Sequence, residues 1–183
     1  MSYPIIECPT DCTYEVPVID MDECAPFVDF DEVDHIYLTS LEEPLDDWTS
    51  LAEWNARLDD TGEGDPTDIR DFHVRGELPK PEYNVIDISL GRTVESEKRF
   101  TLTATIDETN TTNYDAARQM QCHVSYLMWF STDRFMYGGT NGIGVDVQIN
   151  PLITLGNEEL NTIELILTWR ADYSPERIDN PLI

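Results

Sequence analysis

Three segments of this 183-residue chain alternate apolar and polar residues with a period of two, and this pattern constrains the fold more than any other feature. They are residues 100–106, 143–150 and 163–170. Successive side chains of a β-strand point to opposite faces, so each segment predicts a strand with one buried and one solvated face. Antiparallel sheets covered on a single face produce this alternation. The predicted fold class is therefore mainly β.

Four further segments are predicted to be strands. They are residues 35–39, 70–77, 83–90 and 123–130. The last is apolar on both faces, which predicts a central position in the sheet. The glycine-rich residues 138–144 are interpreted as a hairpin loop between strands. The expected architecture is an antiparallel β-sandwich or open barrel with one or two flanking α-helices.

Two helices are predicted. The first spans 47–58, where Ser50 and Glu53 fit a capping box and large apolar residues recur at helical spacing. These apolar residues are Trp48, Leu51, Trp54 and Leu58. The second helix is predicted from Tyr114 to Gln121, with Asn113 as its N-cap. The apolar face of the first helix must dock on the sheet.

The first 34 residues differ in composition from the rest. They contain four prolines and isolated apolar pairs such as Ile5-Ile6, which cannot form a core by themselves. We expect residues 1–34 to be an extended acidic arm that packs along the domain or onto a neighbouring chain. Residues 35–183 are expected to be a single β-rich domain, because a chain of this length supports one core.

The net charge of −26 comes from 37 acidic and 11 basic residues and is concentrated in the first part of the chain. Residues 1–68 contain 20 acidic residues and one basic residue, Arg57, which gives −19. Residues 69–183 contain 17 acidic and 10 basic residues, which gives −7. Nucleic-acid binding is disfavoured, because phosphate contacts require Lys and Arg. The acidity favours a basic partner, divalent cations or a channel that repels DNA.

The sequence assigns no catalytic residue, no cofactor and no metal ion, and we expect the chain not to be an enzyme. Residues 138–144 lack the Gly-Lys-Ser/Thr of a P-loop and precede a strand instead of a helix. No Gly-x-Ser-x-Gly motif indicates a serine hydrolase. Carboxylates for glycoside hydrolysis cannot be selected among 37 acids by position alone.

The cysteines and histidines give only a weak zinc signal. Three cysteines lie near the N-terminus and one stands alone: Cys8, Cys12, Cys24 and Cys122. Cys8 and Cys12 have a spacing found in zinc sites, with His35 as one candidate fourth ligand, but a second pair is missing. Reduced thiols in the arm are the favoured interpretation. The three histidines, at 35, 73 and 123, are scattered, and His123 is interpreted as a core residue.

Three alternatives involve other partners. The acids of residues 29–34 and 59–68 are dense enough to attract calcium, although neither group matches an EF-hand loop. Trp48 and Trp54 could stack on a carbohydrate, but at helical spacing beside Leu51 they are expected in the core. An acidic chain could also mimic DNA and inhibit a basic protein by occupying its binding surface.

The sequence predicts synthesis in a cytoplasm and no membrane contact. Met1-Ser-Tyr-Pro has no basic start and leads into acidic residues, so no secretory signal is expected. The longest apolar run, Tyr126 to Phe130, is five residues and too short to span a bilayer.

Seven short segments after residue 35 carry a resemblance. They are Ile36-Tyr-Leu-Thr, Asp47-Trp-Thr, Glu53-Trp-Asn-Ala-Arg-Leu, Gly91-Arg-Thr-Val, Ile106-Asp-Glu-Thr-Asn, Tyr137-Gly-Gly and Leu167-Thr-Trp-Arg-Ala-Asp-Tyr-Ser-Pro-Glu-Arg. In this order they resemble small virion proteins of phages that infect Bacteroidetes, including crAss-like phages. The resemblance implies a tail-tube or connector subunit, whose β-sandwich and flanking helix assemble into rings. The cysteine-bearing arm has no counterpart in it.

The expected function is therefore that of a non-enzymatic virion structural protein, made in the host cytoplasm. It is expected to form a homo-oligomeric ring and to contact other virion proteins, with DNA passing through an acidic channel without being bound. Acids between Asp29 and Asp68, or polar strand residues such as Asp146 and Gln148, are expected to line that channel.

Overall fold

The structure, a computed structural model, describes residues 32–58, 67–83, 85–88, 92–95, 97–122, 125–152 and 161–183. In chain order its elements are β1 (Val33–Thr39), α1 (Leu51–Arg57), β2 (Arg70–Gly76), β3 (Lys80–Glu82), β4 (Val85–Ile88), β5 (Arg92–Glu95), β6 (Lys98–Ile106), α2 (Thr111–Met120), β7 (Ser125–Ser131), β8 (Phe135–Tyr137), β9 (Ile143–Leu152), β10 (Thr162–Ala171) and β11 (Arg177–Asp179). The prediction of a mainly β chain with one or two helices is confirmed. The predicted arm lies outside the described residues except for its last three, and Val33 and Asp34 already belong to β1.

Six strands close into an antiparallel barrel in the order β1-β2-β6-β10-β9-β7. Closure depends on β7, which pairs with β9 through residues 125–128 and with β1 through residues 127–131. The sequence predicted a sandwich or an open barrel, whereas this sheet returns to its first strand. A closed sheet removes the unpaired edges that an open sheet would expose.

Alternating side chains of the six strands fill the barrel, as the period-two pattern predicted. The alternate apolar residues of β6 and β10 that face inward are buried, with Leu102, Leu165 and Leu167 completely enclosed. Each such burial stabilises the fold by about 1.5 to 3 kcal/mol relative to exposure. β7 is buried on both faces and paired on both sides, which confirms its predicted central position.

A second apolar cluster lies on the outer side of β1 and β7, under α1. Trp54 of α1 is completely buried there and meets Trp129 of β7 edge-on, with ring centroids 5.6 Å apart. Its indole Nε1 donates a hydrogen bond to the Trp48 carbonyl at 2.8 Å. The predicted docking of α1 through Trp54 is confirmed. Leu51, expected on the same face, is instead half exposed.

Both helices begin at positions different from those predicted. Ser50 is the N-cap of α1, and its hydroxyl accepts from Glu53 N, but the Glu53 carboxylate binds the amides of Asp46 and Asp47. Half of the capping box is therefore present, and α1 starts at Leu51, since Trp48 lies in the preceding turn. α2 starts at Thr111 because Asn110, not Asn113, is its N-cap and accepts from Asn113 N at 2.9 Å.

The glycine-rich segment 138–142 packs against the ring of Trp129 and is not the predicted hairpin loop. The strands that it connects, β8 and β9, both pair with β7 and not with each other. Gly142 has a φ of 66°, and a Cβ there would lie 2.8 Å from the ring of Trp129. Trp129 Nε1 donates to the Gly139 carbonyl at 2.7 Å. The glycines thus permit close approach to a buried ring.

In the described part of the chain, five short strands lie outside the barrel. β3 extends the edge of β6, β8 pairs with β7, and β11 pairs with β8. β4 and β5 pair with each other, and within the described part of the chain neither pairs with a barrel strand. We call residues 85–88 and 92–95 the β4–β5 ribbon. The predicted strand 83–90 is thus the shorter β4.

Candidate functional site

His35, Asp71 and His73 lie side by side on the outer face of the barrel, where β1 pairs with β2. The antiparallel register places His35 opposite His73 and Tyr37 opposite Asp71. Asp71 and His73 are two residues apart on β2, so their side chains share one face of that strand. The register of one strand pair therefore produces the cluster.

The Asp71 carboxylate lies close to both imidazole rings. His35 Nδ1 is 2.8 Å from Asp71 Oδ1, and His73 Nε2 is 3.8 Å from Asp71 Oδ2. The two imidazole centroids are 4.2 Å apart, and one ligand atom from each of the three residues lies within 4.8 Å of the others. The side chain of His73 is 82% exposed, whereas that of His35 is 26% exposed. The cluster therefore has one fixed ring and one solvent-accessible ring.

A register shift beside the cluster brings in a second acid. The pairing of β1 with β2 is irregular between Val33 and His35, which is the signature of a β-bulge. Asp34 lies at this bulge and accepts a hydrogen bond from Ser131 Oγ at 3.3 Å. Burial raises the pKa of Asp34, the neighbouring Asp133 raises it further, and the charge on His35 opposes both.

The same acids favour a positive charge on His35. Its hydrogen bond to Asp71 raises the pKa of His35 above the ordinary value, and partial burial opposes that rise. The negative charges of Asp71, Asp34 and Asp133 add to the increase. When His35 is protonated, it forms an ion pair with Asp71, and the raised pKa extends the pH range over which that pair is present.

A cleft of about 620 Å³ opens next to the cluster. β2 pairs with β6 only at Arg75 and Gly76 in the described residues, so residues 70–74 continue past the end of β6. The cleft lies between this part of β2 and α2. Its lining combines apolar side chains, the histidines of the cluster, four acidic residues and one basic residue; the charged residues are Asp34, Asp71, Asp107, Glu108 and Arg75. The volume is in the range of small-molecule pockets.

The chemistry of the cluster suits cation binding better than nucleophilic catalysis. Ser131 lies opposite His35 on β7, but it is fully buried, and its hydroxyl donates to Asp34. A hydrolase triad requires the serine hydroxyl to bond the histidine, with the acid on the other ring nitrogen. The three side chains here provide two imidazole nitrogens and a carboxylate around a shared point.

The structure also places several residues that the sequence analysis considered. Trp48 and Trp54 are buried, so they belong to the core and not to a carbohydrate platform. Cys122 is an exposed free thiol. Asp68 is described and pairs with Arg70 at 3.2 Å. Cys8, Cys12, Cys24, His123 and the acids at 29–31 and 59–65 lie outside the described residues.

The outer face of β6, β10 and β9 is polar and exposes the residues expected to line a channel. Asp146 and Gln148 point outward from β9 and are exposed, opposite Thr168 and Ile166 of β10. Asp146 also accepts from Ser125 Oγ at 3.0 Å. Their place in a channel remains a prediction.

The interpretation of the three histidines as scattered is wrong for His35 and His73. Asp71-Phe72-His73 already placed an acid and an imidazole on one face of a predicted strand, which was an available signal. The sequence did not show that β1 pairs with β2, because α1 and its flanking loops separate these two strands in the chain. Local patterns do not encode which strands pair across such a connection.

Comparison with known proteins assigns no family. No protein-family description matches the chain, and neither a curated protein nor a solved structure resembles it significantly. Among the described residues, no helix has the length and apolarity needed to cross a membrane.

Proposed function

We propose that this protein is a non-enzymatic structural subunit that assembles with copies of itself into a ring, as a tail-tube or head-to-tail connector component of a phage virion. In this role it contacts other virion proteins, and DNA passes through an acidic channel without binding. The phage assignment rests on the sequence resemblance. The observation that supports assembly is the β4–β5 ribbon.

An isolated two-stranded ribbon is marginally stable in water. Here Tyr83, two residues before the ribbon, and Val85, its first residue, are 59% and 53% exposed. Lys98 Nζ lies over the Tyr83 ring at 5.4 Å and leaves most of that ring in solvent. Within the described residues the two ribbon strands pair only with each other, and apolar side chains are exposed at the start of the ribbon. Such a surface is suited to being covered by another chain.

A closed ring requires two different complementary surfaces on each subunit, because its interfaces are head-to-tail. The β4–β5 ribbon is one such surface. A second is available at β11, which pairs with β8 and, in the part of the chain that the structure describes, with no other strand. Addition of a strand from a neighbour at such an edge is a common mode of protein association.

The test is the oligomeric state of the full-length protein at rising concentration, measured by light scattering and negative-stain imaging. We expect rings or tubes from the native chain. The double variant Tyr83→Ser with Val85→Ser should keep its thermal transition and remain monomeric. Tyr114→Ser, an exposed tyrosine on α2, is the matched control and should assemble normally.

Two outcomes would contradict the proposal. If the native protein stays monomeric at all concentrations, the proposal of a ring is wrong. If the double variant still assembles, the β4–β5 ribbon is not an interface. Protein that instead forms a stoichiometric complex with a basic DNA-binding protein would favour the DNA-mimic alternative.

A further inference from the structure

We propose that His35, Asp71 and His73 form a binding site for a divalent first-row metal ion, with Zn²⁺ as the representative ion. This inference goes beyond the proposed function and is independent of whether the chain assembles. Two imidazoles and one carboxylate are a donor set that zinc and its neighbours prefer, and three protein ligands leave a position open. Calcium and magnesium prefer oxygen ligands alone.

The spacing of the donor atoms fits such an ion. Zinc bonds of about 2.0 to 2.1 Å in tetrahedral geometry place neighbouring ligand atoms roughly 3.3 Å apart. The present separations are 2.8 Å for His35 Nδ1 and Asp71 Oδ1, and 3.8 Å for His73 Nε2 and Asp71 Oδ2. These distances lie on either side of that value. The two distances end on different oxygens of Asp71, and one ligand atom from each residue lies within 4.8 Å of the others. Side-chain shifts of up to about 1.5 Å would therefore bring all three ligand atoms to zinc-binding separations.

The scaffold combines a rigid base with one adjustable ligand. His35 lies on a strand paired on both sides, and its ring stacks on Tyr37 with an interplanar angle of 6°. His73 is mostly in solvent, so its ring can turn toward an ion without a packing cost. Sites built on paired strands hold their ligands more accurately than sites on loops.

The surrounding charge favours a cation. Asp34 and Asp133 carry negative charge close enough to act on His35, and Asp107 and Glu108 lie at the same cleft. The alternative is that His35 and Asp71 form only a cross-strand ion pair, with His73 a neighbouring surface residue. The two interpretations differ in what His73 does, because the ion pair does not require it.

Titration of chelator-treated, full-length protein with Zn²⁺ tests the site. The titration contains excess Ca²⁺, which occupies sites made of carboxylates alone. We expect one tight site per chain. His73→Gln should weaken it by more than the about 10- to 100-fold that loss of an outer-shell partner causes. Because His73 is exposed, this variant should keep the native thermal transition in chelator. Asp115→Asn, at an exposed acid of α2 outside the cluster, is the control and should bind as the native protein does.

Cysteine thiolates are the competing ligands, and Co²⁺ distinguishes them. Nitrogen and oxygen ligands give visible d–d bands alone, whereas thiolates add intense near-ultraviolet charge transfer. Visible d–d bands without thiolate charge transfer in the native protein, lost in Asp71→Asn, would support the site. Zinc affinity unchanged in His73→Gln, or a Co²⁺ spectrum dominated by thiolate charge transfer, would overturn it.

Discussion

Trp54 connects α1 to the barrel, and its burial makes it the most informative single residue for stability. Trp54→Ala should lower the free energy of unfolding by about 3 to 5 kcal/mol, because it empties a large site beside Trp129. Urea denaturation followed by far-ultraviolet circular dichroism measures the change.

Leu51→Ala is the matched control for Trp54→Ala, since Leu51 is on the same helix and 49% exposed. Its effect should stay within about 0.5 kcal/mol, as for most surface substitutions. Equal losses in the two variants would show that α1 does not pack through Trp54.

His35 should make stability depend on pH in the metal-free protein. Its pKa is raised by the hydrogen bond to Asp71, so the folded state binds the proton more tightly than the unfolded state. The stabilisation is complete below the unfolded pKa of about 6.5 and is lost as pH rises through the raised pKa.

The difference in unfolding free energy between the native protein and His35→Gln separates this effect from the titration of the acidic residues. With chelator present, the difference in unfolding free energy should be larger at about pH 6 than at about pH 9, because the stabilisation is lost as pH rises through the raised pKa of the folded state. A deficit of the variant that stays constant or grows with pH would mean that the ion pair does not contribute.

At the scale of elements, Arg57 fixes the end of α1 to two neighbouring segments. Its guanidinium donates to three backbone carbonyls, those of Thr67, Pro44 and Glu43, at 2.7 to 2.8 Å. A lysine ammonium has the charge but not the planar fork that reaches three acceptors.

Arg57→Lys should therefore cost about 1.5 to 3 kcal/mol, the range for hydrogen bonds that involve a charged group. The thermal midpoint is the measurement, and Arg118→Lys, in an exposed position of the last turn of α2, is the control. An Arg57→Lys protein that melts with the native one would show that this contact is not stabilising.

The sequence predicted those elements whose signals are local. The alternation of apolar and polar residues in β6, β9 and β10 was sufficient to predict these strands, because it identifies both the strand and the face of the strand that is buried. The start of α2 was wrong because both Asn110 and Asn113 are good N-caps, and the choice depends on the chain before the helix. Leu51 was misplaced because the helical spacing was counted from Trp48, which lies before the first turn.

Closure of the barrel and formation of the histidine cluster could not be predicted in this way. β1 pairs with β2 on one side and with β7 on the other, and β7 lies about 90 residues further along the chain. No local pattern specifies either register. The cluster exists because His35 lies opposite His73, and a one-residue slip would move one ring to the inner face.

At the scale of the whole molecule, charge is the dominant property. The proposed ring would bring many carboxylates together, because each chain has a net charge of −26. Such crowding opposes the compact assembly, and contacts between subunits must outweigh it. An acidic channel would keep DNA from adhering, because lysine and arginine would instead bind its phosphates.

Assembly should therefore strengthen as salt is added. Repulsion between exposed carboxylates is screened over a Debye length of about 8 Å at physiological ionic strength and about 3 Å at 1 M, whereas apolar contacts at the β4–β5 ribbon are not weakened by screening. Sedimentation velocity of the full-length protein at increasing NaCl measures the fraction assembled, which should rise, and millimolar Mg²⁺ should act at lower ionic strength by binding carboxylates. The Tyr83→Ser, Val85→Ser variant should not respond, since screening alone supplies no contact.

Assembly that weakens with salt would mean that ion pairs hold the subunits together. A map of the assembled ring with a neutral or basic channel would assign the negative charge to an external basic partner.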